Sequence, residues 1–376
     1  MRILRCSLAQ LFMAVMFSFL PNLTNAQSLP EQPIHIGFTA IDLGGYGRIA
    51  WAPAQHVLAV SVESDLYLYT VDLIQIMQFH GHTERITSID WSPEGKRVAT
   101  SSYDNTVRIW DMDPASQTYG EALSVLDHTE DVYGVAWMPV IGTNMLATKE
   151  FVDSRVTSET ARIRSHIHIW DVSAQSIINT FPPIYSMGGN IAWTSDGDYL
   201  AHSGLELGQP YIVRIWDTNS WQLVDEQAVT RSWINSLSWQ PTSDRLGIVE
   251  DINYVIIYQL NQDSNLTYID QFQANTFERA YTVDWKNNGD LIAWAGQDRY
   301  LRIWDIAAER VYRVLTPHSN TIGQISWSWD DVYLASQSHE GELRIWAMTD
   351  VACDYSAGLE NAGFCGVPAQ LQGYEE

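Results

Sequence analysis

A short apolar run that ends in Trp, a polar turn and a second apolar run occur together seven times along the chain. They read IAWAPAQHVLAV at Trp51, IDWSPEGKRVAT at Trp91, VAWMPVIGTNMLAT at Trp137, IAWTSDGDYLAH at Trp193, LSWQPTSDRLGI at Trp239, VDWKNNGDLIAW at Trp285 and ISWSWDDVYLAS at Trp327. The Pro, Gly, Asp and Asn between the runs supply tight-turn chemistry, so each predicts a β-hairpin. A second motif follows at a nearly fixed offset: VRIWD at Trp110, IHIWD at Trp170, VRIWD at Trp216, LRIWD at Trp304 and LRIWA at Trp346, with Tyr69 and Tyr258 in the same place in the other two units. Together the two positions use twelve of the sixteen Trp.

Unit lengths near 42 residues, the repeated RIWD strand and the pair Gly81 and His82 ahead of VRIWD resemble the WD-repeat family, over roughly residues 33 to 349. That resemblance implies an all-β fold: a seven-bladed β-propeller of four-stranded antiparallel blades. An apolar run follows the RIWD position in every unit except the last. The missing outer strand is expected from PIHIGFT at 33 to 39, which would close the ring. The resemblance also implies a buried tetrad in the second unit, made of His82, Ser102, Asp104 and Trp110. The last unit offers His318, Ser338, Glu340 and Trp346 as a variant of it. These His and Asp side chains are read as architecture and not as a catalytic triad.

The formal charge of −24 argues against nucleic acid, whose phosphates call for clustered Lys and Arg. Arg2 and Arg5, an apolar run from Leu8 to Leu20 and the small residues ending at Ala26 read as an export signal over 1–26, too short to span a bilayer. The expected mature protein is a secreted or periplasmic monomeric ring over 27–349 with no membrane span, followed by a tail over 350–376. In that setting Cys353 and Cys365 are expected to form a disulfide.

Motifs with a mechanism are scarce. The chain holds no phosphate loop, HExxH helix, CxxC pair or GxSxG elbow. His166 and His168 share a strand face but find no third metal ligand, and Asp196 and Asp198 make only a turn. The expectation is therefore no catalytic residue, cofactor or metal, and a scaffold that binds a protein or peptide. The rival readings are an enzyme or sugar-binding propeller with a central-channel site and a chain of the TolB-like periplasmic kind.

The family resemblance implies a partner-binding face formed by the loops before the first strands and between the second and third. By position these supply Arg85, Asp131, Trp233 and Arg279, and Tyr103, Gln297 and His339. The third unit adds a feature of its own. Its Trp137 to Trp170 interval is 33 residues against the usual 19, and the excess holds Lys149, Arg155, Arg162 and Arg164, a basic insertion on an acidic chain.

Overall fold

The computed structural model describes residues 38–152, 164–185, 191–205, 210–230, 232–251, 254–273 and 278–348. Among them are 28 strands and no helix. The hairpin and the RIWD strand of each unit become the first, second and third strands of an antiparallel sheet, and the apolar run after them becomes the fourth. In the first unit these are Ile49–Trp51, Val57–Val62, Asp65–Thr70 and Gln75–Phe79. In the second they are Ile86–Trp91, Arg97–Ser102, Thr106–Asp111 and Ala122–Asp127. Five sheets have four strands each. The third and fourth units share an eight-stranded sheet, its halves joined where Tyr185 pairs with Leu205.

The core is divided among the gaps between consecutive sheets. Leu66, Leu68, Phe79, Ile89 and Trp91 fill the gap between the first and second units. Leu301, Ile303, Ile325, Trp327 and Trp346 fill that between the sixth and seventh. Trp51, Leu58, Ala335, Leu343 and Ile345 do the same between the seventh and the first. Each sheet therefore buries apolar side chains on both faces, which is why its inner strands read as near-continuous apolar runs. Leu58, Val98 and Leu334 are fully buried, and each such side chain contributes about 1.5–3 kcal/mol by leaving water.

The Trp that ends each first strand also ties neighbouring units. Its indole Nε1 donates to the carbonyl just before the preceding unit's Trp: Trp91 to Ala50 (3.1 Å), Trp193 to Ala136 (3.0 Å), Trp239 to Ala192 (3.1 Å) and Trp285 to Ser238 (3.0 Å). Trp51 donates to Ser326 of the seventh unit in the same way (3.0 Å). The two exceptions share a cause. The residue before the preceding Trp is Asp90 in one case and Asp284 in the other. Each carboxylate takes the backbone N–H of the next unit's Trp, Trp137 at 2.6 Å and Trp327 at 2.9 Å. The indoles of Trp137 and Trp327 have no hydrogen-bond partner.

The seventh sheet takes its fourth strand from the start of the described chain. Phe38–Asp42 pairs antiparallel with Glu342–Ala347, from Phe38 opposite Trp346 to Asp42 opposite Glu342. Only Phe38 and Thr39 of the expected segment 33 to 39 fall within this strand, which runs on to Asp42; residues 33–37 lie outside the described residues. Packing accounts for its position. The Phe38 ring sits 4.7 Å from that of Trp346, with the Arg344 guanidinium 4.5 Å over it.

Candidate functional site

The tetrad comes first, because it shows which His and Asp are committed to architecture. The expected hydroxyl, Ser102, is not its member; Thr100 is. Trp110 Nε1 donates to Thr100 Oγ1 at 2.8 Å, and His82 Nε2 lies 2.8 Å from the same oxygen. His82 Nδ1 meets Asp104 Oδ2 at 2.8 Å. An indole only donates, so Thr100 accepts from Trp110 and can pass its own proton to His82, whose Nδ1–H then serves Asp104. Strand register explains the difference. Val98 sits opposite Trp110, and on a pleat with period two the indole reaches the next same-face residue, Thr100. Ser102 lies one step further and instead donates to Glu84 O (2.9 Å) and accepts from Asp104 N (3.1 Å). Burial alone would push the Asp104 carboxyl up, yet hydrogen bonds from His82, Thr106 and Thr83 together hold it well below the ordinary range.

The same correction applies in the seventh unit. Ser336, not Ser338, accepts from Trp346 Nε1 at 2.8 Å and meets His318 Nε2 at 2.7 Å. Glu342, not Glu340, lies 3.2 Å from His318 Nδ1. The third unit holds a set the sequence reading did not find. Thr148 accepts from Trp170 at 3.1 Å and meets His128 Nε2 at 2.9 Å, while the carboxylate of Glu150 pairs with His168. That pairing occupies His168 as structure.

Of the loop residues nominated from sequence, all but Asp131 fall into two separate groups. Each residue just before a first strand meets one just after a second strand: Tyr103 N donates to Arg85 O (3.2 Å), Asp251 N to Trp233 O (2.8 Å), and Gln297 N to Arg279 O (2.9 Å). In the first group the Arg85 guanidinium lies 5.4 Å over the Tyr103 ring and 5.2 Å over Tyr46. His339 packs edge-on against Tyr46 at 4.8 Å and lies 5.7 Å from Tyr281. Arg48 joins them, 5.1 Å over the same Tyr46 ring, its Nε donating to Thr87 O at 2.6 Å. Sequence reasoning missed Tyr46 and Arg48, which stand just before the first strand and belong to no repeated motif. Burial lowers the His339 pKa, and the positive charges of Arg48 and Arg85 lower it further.

The second group surrounds Asp251. Arg279 Nε pairs with its carboxylate at 3.2 Å, while Trp233 is half-buried with its ring 4.9 Å from Tyr211, a packing position. Asp131 stands with neither group. Burial, with Glu84 and Glu130, raises its pKa. Of the insertion, Arg155 and Arg162 lie outside the described residues, as do Cys353 and Cys365. Arg164 is exposed, 5.6 Å over the Tyr185 ring. Lys149 is not a surface cation. It is fully buried 5.2 Å over Tyr133, and burial pushes its ammonium down to about 7.

A cavity of about 710 Å³ runs along the first strands of all seven units, bordered by Tyr46, Arg48, Tyr103, Tyr281 and His339. Asp90 and Asp284 lie on its wall, and burial pushes each up to about 7 against the lowering effect of the N–H groups they accept. Those bonds tie both carboxylates to neighbouring strands. Among the described residues no group of three or more His, Cys, Asp and Glu is placed to hold a metal.

Residues 73–111 match the family described as WD domain, G-beta repeat, and residues 237–330 match the anaphase-promoting complex subunit 4 WD40 domain. The chain is 23% identical to THO complex subunit 3 of Arabidopsis thaliana over 269 residues, 70% of this chain and 76% of that protein. It is 24% identical to cell division cycle 20.1, cofactor of APC complex, of the same plant over 313 residues, 79% of this chain and 62% of that protein. Pre-mRNA-processing factor 19 homolog 2 of Arabidopsis thaliana is 24% identical, over 61% of this chain and 48% of that protein. The chain thus spans less than two thirds of the length of the latter two. The chain is thus similar to WD-repeat sequence over residues 73–111 and 237–330, on an all-β frame built mostly of four-stranded antiparallel sheets.

Proposed function

We propose that the chain is a non-catalytic scaffold whose seven units are the blades of one ring, closed by Phe38–Asp42, and that a protein partner docks where the first strands begin. The observation that carries the reading is the cluster of Tyr46, Arg48, Tyr103 and His339, which three units contribute to one mouth of the cavity, with Arg85 stacked on Tyr46 and Tyr103 beside it. Half-buried aromatics with Arg are the residues that dominate interface energetics. The name of the THO relative describes a subunit of a complex and that of the cell-division relative a cofactor of one, which favours a binding role. The carboxylates on the cavity wall are held by backbone N–H groups, so they support the central-channel enzyme less well.

The test is capture of partners by the full chain, identified by mass spectrometry, and by Arg85→Ala, Trp233→Ala and a variant lacking 153–163. Arg85→Ala is expected to abolish capture of a defined partner and Trp233→Ala to leave it unchanged. Equal capture by all four would refute the docking face. Export after cleavage near Ala26 and a Cys353–Cys365 disulfide complete the proposal. A mature N-terminus at Gln27 and a linked peptide in non-reduced digests are the expected results; free Cys353 in exported protein would refute the bridge.

A further inference from the structure

The chain carries a formal charge of −24, so an uncompensated positive site on it stands out. Neither Arg48 nor Arg85 has a carboxylate within 4.0 Å among the described residues, whereas Arg97, Arg214, Arg279, Arg302 and Arg344 each do. Arg48 spends its Nε on the Thr87 carbonyl. Among the described residues its terminal nitrogens make no hydrogen bond. Arg85 Nε is buried without a partner. A buried unmet donor costs free energy, and an arriving acceptor recovers it.

The surroundings are built to close tolerance. Both guanidinium groups lie over the one Tyr46 ring, at 5.1 and 5.2 Å. That ring is held by His339, and both rest on Gly323: a Cβ there would fall 2.7 Å from His339 Cδ2 and 2.8 Å from Tyr46 Cε2. Two like charges kept over one aromatic ring repel each other, and an anion between them removes that repulsion. Planar guanidinium groups suit an oxyanion better than an ammonium would, because their N–H groups are already oriented for it.

We infer that the cavity mouth at Arg48, with Arg85 beside it on the shared Tyr46 ring, is a receptor for an acidic side chain, Asp or Glu, presented by a peptide segment of the docking partner. The inference rests on the docking face proposed above and names its chemistry. Tyr46, Tyr103 and Tyr281 would flank the entering chain, and the acid's carboxylate would accept from the Arg48 terminal nitrogens. The net negative charge elsewhere repels acidic segments, so the same feature that attracts at the mouth selects against docking anywhere else.

The test titrates the full chain with three decapeptides that differ at one central residue, Glu, Gln or phosphoserine, by calorimetry and by NMR of the His339 ring. The Glu peptide is expected to bind at least about tenfold more tightly than the Gln peptide, the scale of one charge-assisted hydrogen bond. Arg48→Gln and Arg85→Gln, each with unchanged thermal unfolding, should erase that difference. Binding should also raise the pKa of His339, since an anion offsets the two arginines; a purely structural role for Arg48 would leave that titration unmoved. Equal affinity for the Glu and Gln peptides, no binding of the Glu peptide, or binding of the phosphoserine peptide alone would overturn the inference. Loss of partner capture in Arg85→Ala alongside any of those results would leave the docking face standing and this chemistry refuted.

Discussion

Replacing Thr100 by Val removes one oxygen from the interior of the second sheet and almost nothing else, because the two side chains have the same shape. The oxygen serves two buried partners. Trp110 Nε1 and His82 Nε2 each lie 2.8 Å from it, in residues only 4% and 6% exposed. Each of the two polar groups left buried and unmet costs about 1–3 kcal/mol, with no cavity to add, so the expected loss is about 2–6 kcal/mol. Ser102→Ala provides the internal comparison. Its hydroxyl is as buried and makes two bonds as well, but both are to backbone groups, of exposed Glu84 and half-buried Asp104, which can turn to solvent, so about 1 kcal/mol is expected. Urea unfolding followed by Trp fluorescence should show a lower midpoint for Thr100→Val than for Ser102→Ala at unchanged slope. Val60 occupies the matching place in the first unit, where Tyr69 replaces the indole, so a valine is acceptable once nothing seeks a hydroxyl. Ser102→Ala matching or exceeding the loss in Thr100→Val would refute the tetrad as drawn.

Two further predictions concern the seams between units. Asp90 and Asp284 have folded pKa values raised to about 7 from 3.8, so the stability each contributes is full below the unfolded value and lost as pH rises through 7. Asp284→Asn should therefore gain on the wild type between pH 5 and 7 by on the order of 1 kcal/mol per pH unit in denaturant melts, then level off; a constant difference across that range would refute the raised value. Deleting residues 38–42 should lower the melting temperature of the whole chain and not of the seventh sheet alone, read by tryptophans from distant units. Intact melting would remove the proposed closure.

Much of the frame was legible because it is repeated. A Trp at the end of every first strand and an aromatic near the end of every third is a signal that seven copies amplify, and the strands form where those copies predict them. The tetrad was misread for the opposite reason. Thr100 and Ser102 have the same parity, similar chemistry and complete burial, so only the pairing of Val98 with Trp110 selects between them, and register across strands is not written in either strand alone. Tyr46 and Arg48 went unnoticed because they belong to no motif; their meaning comes from Arg85 and His339, which fold against them from the second and seventh units. Lys149 was misplaced because local sequence reports charge, whereas burial depends on the neighbouring strands that cover it.

The pairing of Phe38–Asp42 with Glu342–Ala347 also imposes an order in time. The first described strand to be synthesised cannot pair until the last has been made, and the indole of Trp51 likewise waits for the carbonyl of Ser326 across 275 residues of chain. At ribosomal rates of 5–20 residues per second the roughly 300 intervening residues take about 15–60 s. For that interval Phe38, Ile41 and the face of Trp51 destined for the seventh sheet stand open to any passing strand edge. A nascent chain of this kind exposes Phe38–Asp42 to mispairing until Glu342–Ala347 has been made, and the pairing of those two strands ends the exposure.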